Sequence, residues 1–176
     1  MPSITTTKAR IHNAIKLCSE PYLYYALSQT SAWPDENNPP TPSVSVSTLT
    51  ELIYIRRIQV KHLVVVDDPY DGYAIDVEVN GINYNYVLEA SAYDRIAYSV
   101  YLAETIDYSS IAPTNTTFRT ISVLLNPEDA YGTILTGLEY LAASVADVGQ
   151  IIYTNNRTYL TRAPEQTEMI QTIIRF

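Results

Sequence analysis

The chain has 176 residues, 47% of them hydrophobic, and carries 11 Lys and Arg against 19 Asp and Glu, a formal charge of −8. That length suits one domain with its own core, and an acidic chain without a basic run lacks the clustered cations that sequence-independent nucleic-acid binding requires. The lone Cys18 cannot form an internal disulfide, and no stretch reads as a signal peptide or a membrane span.

Tyrosine is the compositional outlier, with 16 residues beside two Phe and one Trp. Its ring packs while its hydroxyl stays wet, which suits half-buried strands and protein contacts.

Thr7 to Leu17 is predicted as a short amphipathic helix, with Ile11, Ala14, Ile15 and Cys18 at helical spacing, Thr5 to Thr7 offering caps and Pro21 ending it. Cys18 is expected there as a buried, inert thiol. Tyr22 to Ser28 reads as a strand, apolar enough on both faces to be covered on both. Trp33 to Pro42 holds four of the ten prolines. These remove donors and fix φ too often for a helix or a central strand, so an extended loop is expected. Thr48 followed by Glu51 makes a capping-box pattern and predicts a brief helix over Leu49 to Tyr54. From Ile55 to Val66 alternation sets in, with Ile58, Val60, Val64 and Val66 on one side. His62, among them, reads as a satisfied core residue, and neither His12 nor His62 has metal-ligand spacing to a Cys or a carboxylate cluster. Asp67 to Gly72 reads as a solvated turn, lacking the alternating oxygen ligands of a calcium loop.

Tyr73, Ile75, Val77 and Val79 alternate with Asp76 and Glu78. Asn80-Gly81 then supplies a two-residue type I′ turn, and Ile82, Tyr84, Tyr86 and Leu88 alternate with Asn83 and Asn85. That turn pairs Val79 with Ile82, Val77 with Tyr84, Ile75 with Tyr86 and Tyr73 with Leu88, placing every apolar residue on one face. A further alternating run follows at Ile96, Tyr98, Val100 and Leu102. Phe118 to Leu125 is an apolar strand stopped at Asn126-Pro127. Leu138, Leu141, Ala142 and Val145 predict a short helix over Gly137 to Ala146, with Gly149 just past its end. Gly149 to Arg157 reads as a strand followed by a turn, and Gln166-Thr167-Glu168 leads into a last strand running to Phe176.

No nucleophile elbow, phosphate loop, dinucleotide fingerprint or paired-cysteine metal motif occurs. Asp76 and Glu78 fall on the polar face of the hairpin and read as a solvated face rather than an acid and base pair. The fold class expected is mainly β, or α+β in detail: an antiparallel β-sandwich or barrel-like sheets with a few short helices.

The blocks Phe118-Arg119-Thr120-Ile121-Ser122, Asn156-Arg157 and Gln166-Thr167-Glu168, in that order and spacing, resemble the C-terminal part of a baseplate wedge protein family of contractile-tailed bacteriophages. Within that family they resemble the type that forms dimers on the baseplate periphery in T-even phages. The strand Ala97 to Glu104, and upstream a Trp followed by acid, Asn and paired prolines from Trp33 to Pro40, fit the same pattern. The chain is much shorter than the T-even member, mainly between the acidic turn and Tyr93.

The resemblance implies one wedge domain over residues 1–176, a structural and non-enzymatic subunit without cofactor or metal. It would be assembled in the host cytoplasm, reside in the virion tail baseplate, and bind copies of itself, as a dimer, and other wedge proteins, with no nucleic-acid or membrane partner. Asn156, Arg157, Arg162, Gln166 and Glu168 match polar positions of the family; Arg157 or Arg162 is expected to tie the turn to the sheet by charge-assisted hydrogen bonds, with contact to a neighbouring subunit as the alternative, and Trp33 marks a loop contact. The reading from another class is a carbohydrate-binding β-sandwich with tyrosines as stacking platforms, against which stand the single Trp and the lack of an aromatic row on a polar face.

Overall fold

The computed structural model describes residues 6–43, 45–68, 75–112 and 114–176. In chain order its elements are α1 (Thr7–Ser19), β1 (Leu23–Ser28), β2 (Tyr54–Arg57), β3 (Val60–Val66), β4 (Val77–Val79), β5 (Ile82–Val87), β6 (Ser99–Asp107), β7 (Thr116–Leu125), β8 (Glu139–Leu141), β9 (Gln150–Arg162) and β10 (Thr167–Arg175), with three single-turn 3-10 helices. The fold is mainly antiparallel β, as expected, in two five-stranded sheets. Two compact units divide the chain. The first comprises Met1–Glu20, Gln59–Ala103 and Ile170–Phe176, and the second Pro21–Ile58 and Glu104–Met169.

The second unit holds the sheet β8-β2-β1-β7-β9. All six residues of β1 are buried, in keeping with a strand apolar on both faces. It pairs with β7 from Leu23↔Leu125 to Ser28↔Thr120 and with β2 from Tyr24↔Arg57 to Leu27↔Tyr54. Tyr24, Ala26, Ile55, Leu124 and Leu135 form a core cluster, with Tyr140 and Ile151 packed against it. The Tyr24 hydroxyl satisfies its buried proton by donating to the Leu135 carbonyl at 2.9 Å and the Gly137 carbonyl at 2.8 Å. Burial, with Tyr140 nearby, pushes this phenol up to about 12.

Two predicted helices are absent from this unit. Over Leu49 to Tyr54 the chain makes a turn, with Glu51 at φ 51°, and then runs beside β1 through Ile53 N–H to the Leu27 carbonyl at 2.9 Å. The Glu51 carboxylate is taken by Thr30 Oγ and Ser31, so it closes no capping box. Over Gly137 to Ala146 the chain forms β8 and one 3-10 turn, Ala142–Ser144, because β8 pairs with β2 through Ile55↔Tyr140. Ladder pairing and the seating of Tyr140 outweighed the helical spacing. Gly149, at φ +65°, is therefore the entry to β9 and not a helix cap. A Cβ there would lie 2.5 Å from the Asn126 carbonyl oxygen and closer still to that of Leu125.

The first unit holds β3, β5 and β4 with α1 packed on β3. The helix is capped by Thr6, whose hydroxyl accepts from Ala9 N–H at 3.3 Å, and buries Ile11, Ala14 and Leu17. Lys61 Nζ donates to the Glu20 carbonyl beyond its end. Cys18 is half-buried rather than buried, and desolvation raises its thiol above the ordinary value despite the nearby Lys61 cation.

The hairpin has the expected register, Val79↔Ile82 and Val77↔Tyr84, around Asn80 at φ 53° and Gly81 at φ 76°. Its strand pairing begins at Val77: Ile75 precedes it, and Asp76 Oδ2 accepts from Tyr86 N–H at 2.7 Å. Tyr73 and residues 69–72 of the acidic turn lie outside the described residues. The hairpin's other face is not simply solvated, since Asn85 is buried and donates from Nδ2 to Asp67 Oδ1 at 2.8 Å.

The run from Ile55 to Val66 is two strands of different sheets, β2 and β3. His62 is exposed, correcting the expectation of a core histidine, because its side of β3 is only partly covered: Val60 is 38% and Val66 52% exposed. Ile96 lies before β6 with φ 53°, outside the alternation read for it. The final strand is ordered to its end, where Phe176 N–H donates to the Tyr98 carbonyl at 3.1 Å.

Candidate interaction surfaces

Asn156 and Arg157 fall within β9, not in a turn after it, because Thr158, Tyr159, Leu160 and Thr161 extend the strand opposite Thr116 to Phe118. The register shifts between Phe118↔Leu160 and Thr120↔Asn156, so Arg119 faces an irregular stretch of β9. The Arg157 carbonyl in that stretch accepts from the indole Nε1–H of Trp33 at 3.0 Å. Asn156 donates from Nδ2 to the Pro40 carbonyl at 2.9 Å and accepts from Thr120 Oγ at 2.9 Å. The proline-rich loop is thus held against the chain's own sheet, and it is not extended throughout, because Asn38 N–H donates to the Asp35 carbonyl at 3.2 Å in a turn.

Arg119 organises this contact, and motif reading passed over it. Its guanidinium is nearly buried, donates from Nε to Glu36 Oε1 at 2.7 Å and from Nη1 to the Thr30 carbonyl, and lies 5.6 Å from the Tyr159 ring centroid. Burial raises the Glu36 carboxyl, but the Arg119 bond and the Trp33 backbone N–H prevail and hold it below its ordinary value. A signal was present: an arginine set among Phe118, Ile121 and Val123 in an apolar strand requires a partner if it is buried.

Arg162 and Glu168 meet at the base of the turn between β9 and β10, Nε to Oε2 at 2.8 Å, and Tyr108 donates its hydroxyl to the same oxygen at 3.0 Å. Burial opposes ionisation of Glu168, yet the Arg162 and Tyr108 hydrogen bonds keep its carboxyl low, while burial and Glu168 raise the Tyr108 phenol. Gln166 Oε1 accepts from Ala163 N–H at 2.8 Å, closing the turn. Of the polar positions singled out in the sequence, Arg162, Gln166 and Glu168 come together here, while Asn156 and Arg157 join the Trp33 loop.

A second ionic group involves residues the motifs did not flag. Arg56 reaches Glu139 Oε2 at 2.5 Å and Glu104 Oε1 at 3.4 Å, and Tyr54 donates to Glu139 Oε2 at 2.5 Å. The Tyr54 bond, with Arg56, holds the Glu139 carboxyl below its usual range against the opposing effect of burial. The Arg56 guanidinium bridges Glu139 and Glu104, an arrangement that suits a structural tie of β2 to β8.

The first unit carries an aromatic face. The His62 imidazole stacks on the Tyr86 ring at 4.2 Å and 21°, Tyr101 stands 6.1 Å from Tyr86, and Gln171 donates to the Tyr101 hydroxyl at 2.8 Å. Tyr101 is itself buried, in a cluster with Val64, Val79 and Tyr84 on the same side of the sheet, while Tyr86 is 40% and Ile82 42% exposed. Ordered rings beside a packed cluster, with apolar side chains left in solvent, form a surface suited to protein contact.

Comparison with known proteins gives one result at the level of families, and no curated protein matches the chain. The family model described as baseplate wedge 3 tail fiber network component matches residues 2–176, so the chain belongs to that family and is a structural component of a phage baseplate wedge.

Proposed function

We propose that this protein is a non-catalytic subunit of a contractile-tail baseplate wedge, acting as one wedge domain over residues 1–176. It binds copies of itself, as a dimer of the peripheral wedge type, and other wedge proteins. It reaches the virion after assembly in the host cytoplasm. The observation that carries this reading is the stacked His62 and Tyr86 pair, whose rings stand partly in solvent beside the buried Tyr101, an arrangement suited to the centre of a protein interface. Trp33, Asn156, Arg157, Arg162, Gln166 and Glu168 serve it indirectly, by holding the loop and the β9–β10 turn in fixed positions.

Light scattering on the purified protein, alone and mixed with the baseplate proteins encoded beside it, tests the proposal. A dimer is expected, burying on the order of 1,200–2,000 Å² in total, together with a complex with at least one wedge neighbour. A protein that stays monomeric and binds none of them at micromolar concentration would remove this function.

A further inference from the structure

Of the large apolar side chains among the described residues, Tyr131 is the most exposed, at 93%, and Leu88 the next, at 79%. They differ in setting. Tyr131 stands at the tip of a loop fastened on both sides. Asp129 Oδ1 accepts from the N–H groups of Tyr131 at 2.8 Å and Thr133 at 3.0 Å, and Asp129 N–H reaches the Thr133 carbonyl at 2.9 Å. Behind the tip, Leu135 N–H donates to the Pro127 carbonyl at 2.8 Å, and its side chain enters the core of the second unit. A tyrosine shown on so constrained a backbone loses little conformational freedom when it docks, which is the condition for a binding anchor.

Leu88 stands at the rim of a cleft in the first unit, about 340 Å³ in volume, whose walls include Tyr86, Val87, Asp76 and Arg95. Its apolar walls can cover a phenyl ring. The Asp76 carboxylate already accepts from Tyr86 N–H and has further acceptor capacity for a phenol proton. Glu128 lies beside the Tyr131 tip, and the cleft is lined by both Asp76 and Arg95, the second opposite in charge to Glu128.

We infer that the Tyr131 loop of one copy inserts into the Leu88 and Tyr86 cleft of a second copy, so that the two most exposed apolar side chains cover each other. This rests on the self-association proposed above and names its contact. In a two-fold pair each copy gives a tyrosine and receives one, so the knob-and-socket contact is made twice.

The test uses the full chain in three forms: wild type, Tyr131→Ser and Leu88→Asp. Both side chains stand in solvent, so neither substitution removes packing, and circular dichroism checks that each variant melts as wild type does. Sedimentation equilibrium is expected to show self-association weakened roughly 30-fold in each variant alone, as for loss of a hot-spot anchor. An equimolar mixture is expected to regain a 1:1 complex, because the Tyr131→Ser copy keeps an intact cleft and the Leu88→Asp copy an intact tyrosine. Tyr131→Ser associating like wild type, or a mixture no tighter than its components, overturns the inference. So does a wild-type protein that binds only other wedge proteins, an outcome that leaves the structural function standing. Binding to neither is the separate result that removes that function.

Discussion

Gly81 and Gly149 offer a matched pair for separating backbone conformation from space. Both have positive φ, +76° and +65°, but a Cβ at Gly81 meets nothing within 4 Å, whereas one at Gly149 meets the backbone carbonyls of Leu125 and Asn126 well inside contact distance. Gly81→Ala should therefore carry only the left-handed penalty of roughly 1–2 kcal/mol, offset by about 0.4–1 kcal/mol from the stiffer unfolded chain, for a net loss near 1 kcal/mol. Gly149→Ala has the same balance plus overpacking of about 1–3 kcal/mol, at the upper end because the obstacle is backbone and cannot rotate away. With about 2–4 °C per kcal/mol in a chain of this size, the expected shifts are about 3 °C and about 10 °C. Gly81 lies in the first unit and Gly149 in the second, so scanning calorimetry, which registers both, is the assay. Equal shifts for the two variants would refute the reasoning, since conformation alone would then explain both.

Arg56→Met should lose roughly 1–3 kcal/mol in urea unfolding, because it removes the cation that bridges Glu139 on β8 to Glu104. Trp33→Phe should lower stability by about 1 kcal/mol through the lost bond to the Arg157 carbonyl, and limited proteolysis should then cut faster between residues 33 and 42. The Glu51 carboxyl, lowered to about 2 by hydrogen bonds from Ser31 and Thr30, has a folded value below its unfolded one of 4.5. Its contribution is thus fully present above pH 4.5 and is lost as pH falls toward 2. Glu51→Gln should flatten the decline of the urea midpoint across that window and leave the decline outside it unchanged. Cys18, raised by burial, should react with a disulfide reagent at neutral pH much more slowly in the folded chain than in urea.

Local chemistry made parts of this fold legible. Asn80-Gly81 names a turn type, the turn sets a register, and the alternation on either side agrees with it, so Val77↔Tyr84 and Val79↔Ile82 followed from the letters. The helix ended by Pro21, the doubly buried β1 and the strand broken at Asn126-Pro127 were legible for the same reason. The failures share a different cause. Leu138, Leu141, Ala142 and Val145 have helical spacing, but their segment is placed by pairing with β2, some 85 residues earlier at Ile55↔Tyr140, and spacing carries no knowledge of that strand. Glu51 made a capping box with Thr48 on paper, yet Thr30 and Ser31, 21 and 20 residues away, hold its carboxylate. Arg119 meets Glu36 across 83 residues and Thr30 across 89, so its role appears only once β7 and the proline-rich loop are brought together. His62 was misplaced because alternation shows which side chains share a face, not whether that face is covered.

The irregular pairing of β9 has a consequence for how the chain meets other chains. Among the described residues this strand of 13 residues is an outer member of its sheet, paired with β7, and a long flat edge of that kind invites uncontrolled strand addition and aggregation. Its register shifts twice, once around Arg157 to Tyr159 and once at Ile152, and each shift bends the strand and misaligns the donors and acceptors along it. Trp33 then occupies a backbone carbonyl in the first irregular stretch. A foreign strand finds no long straight run to zip onto.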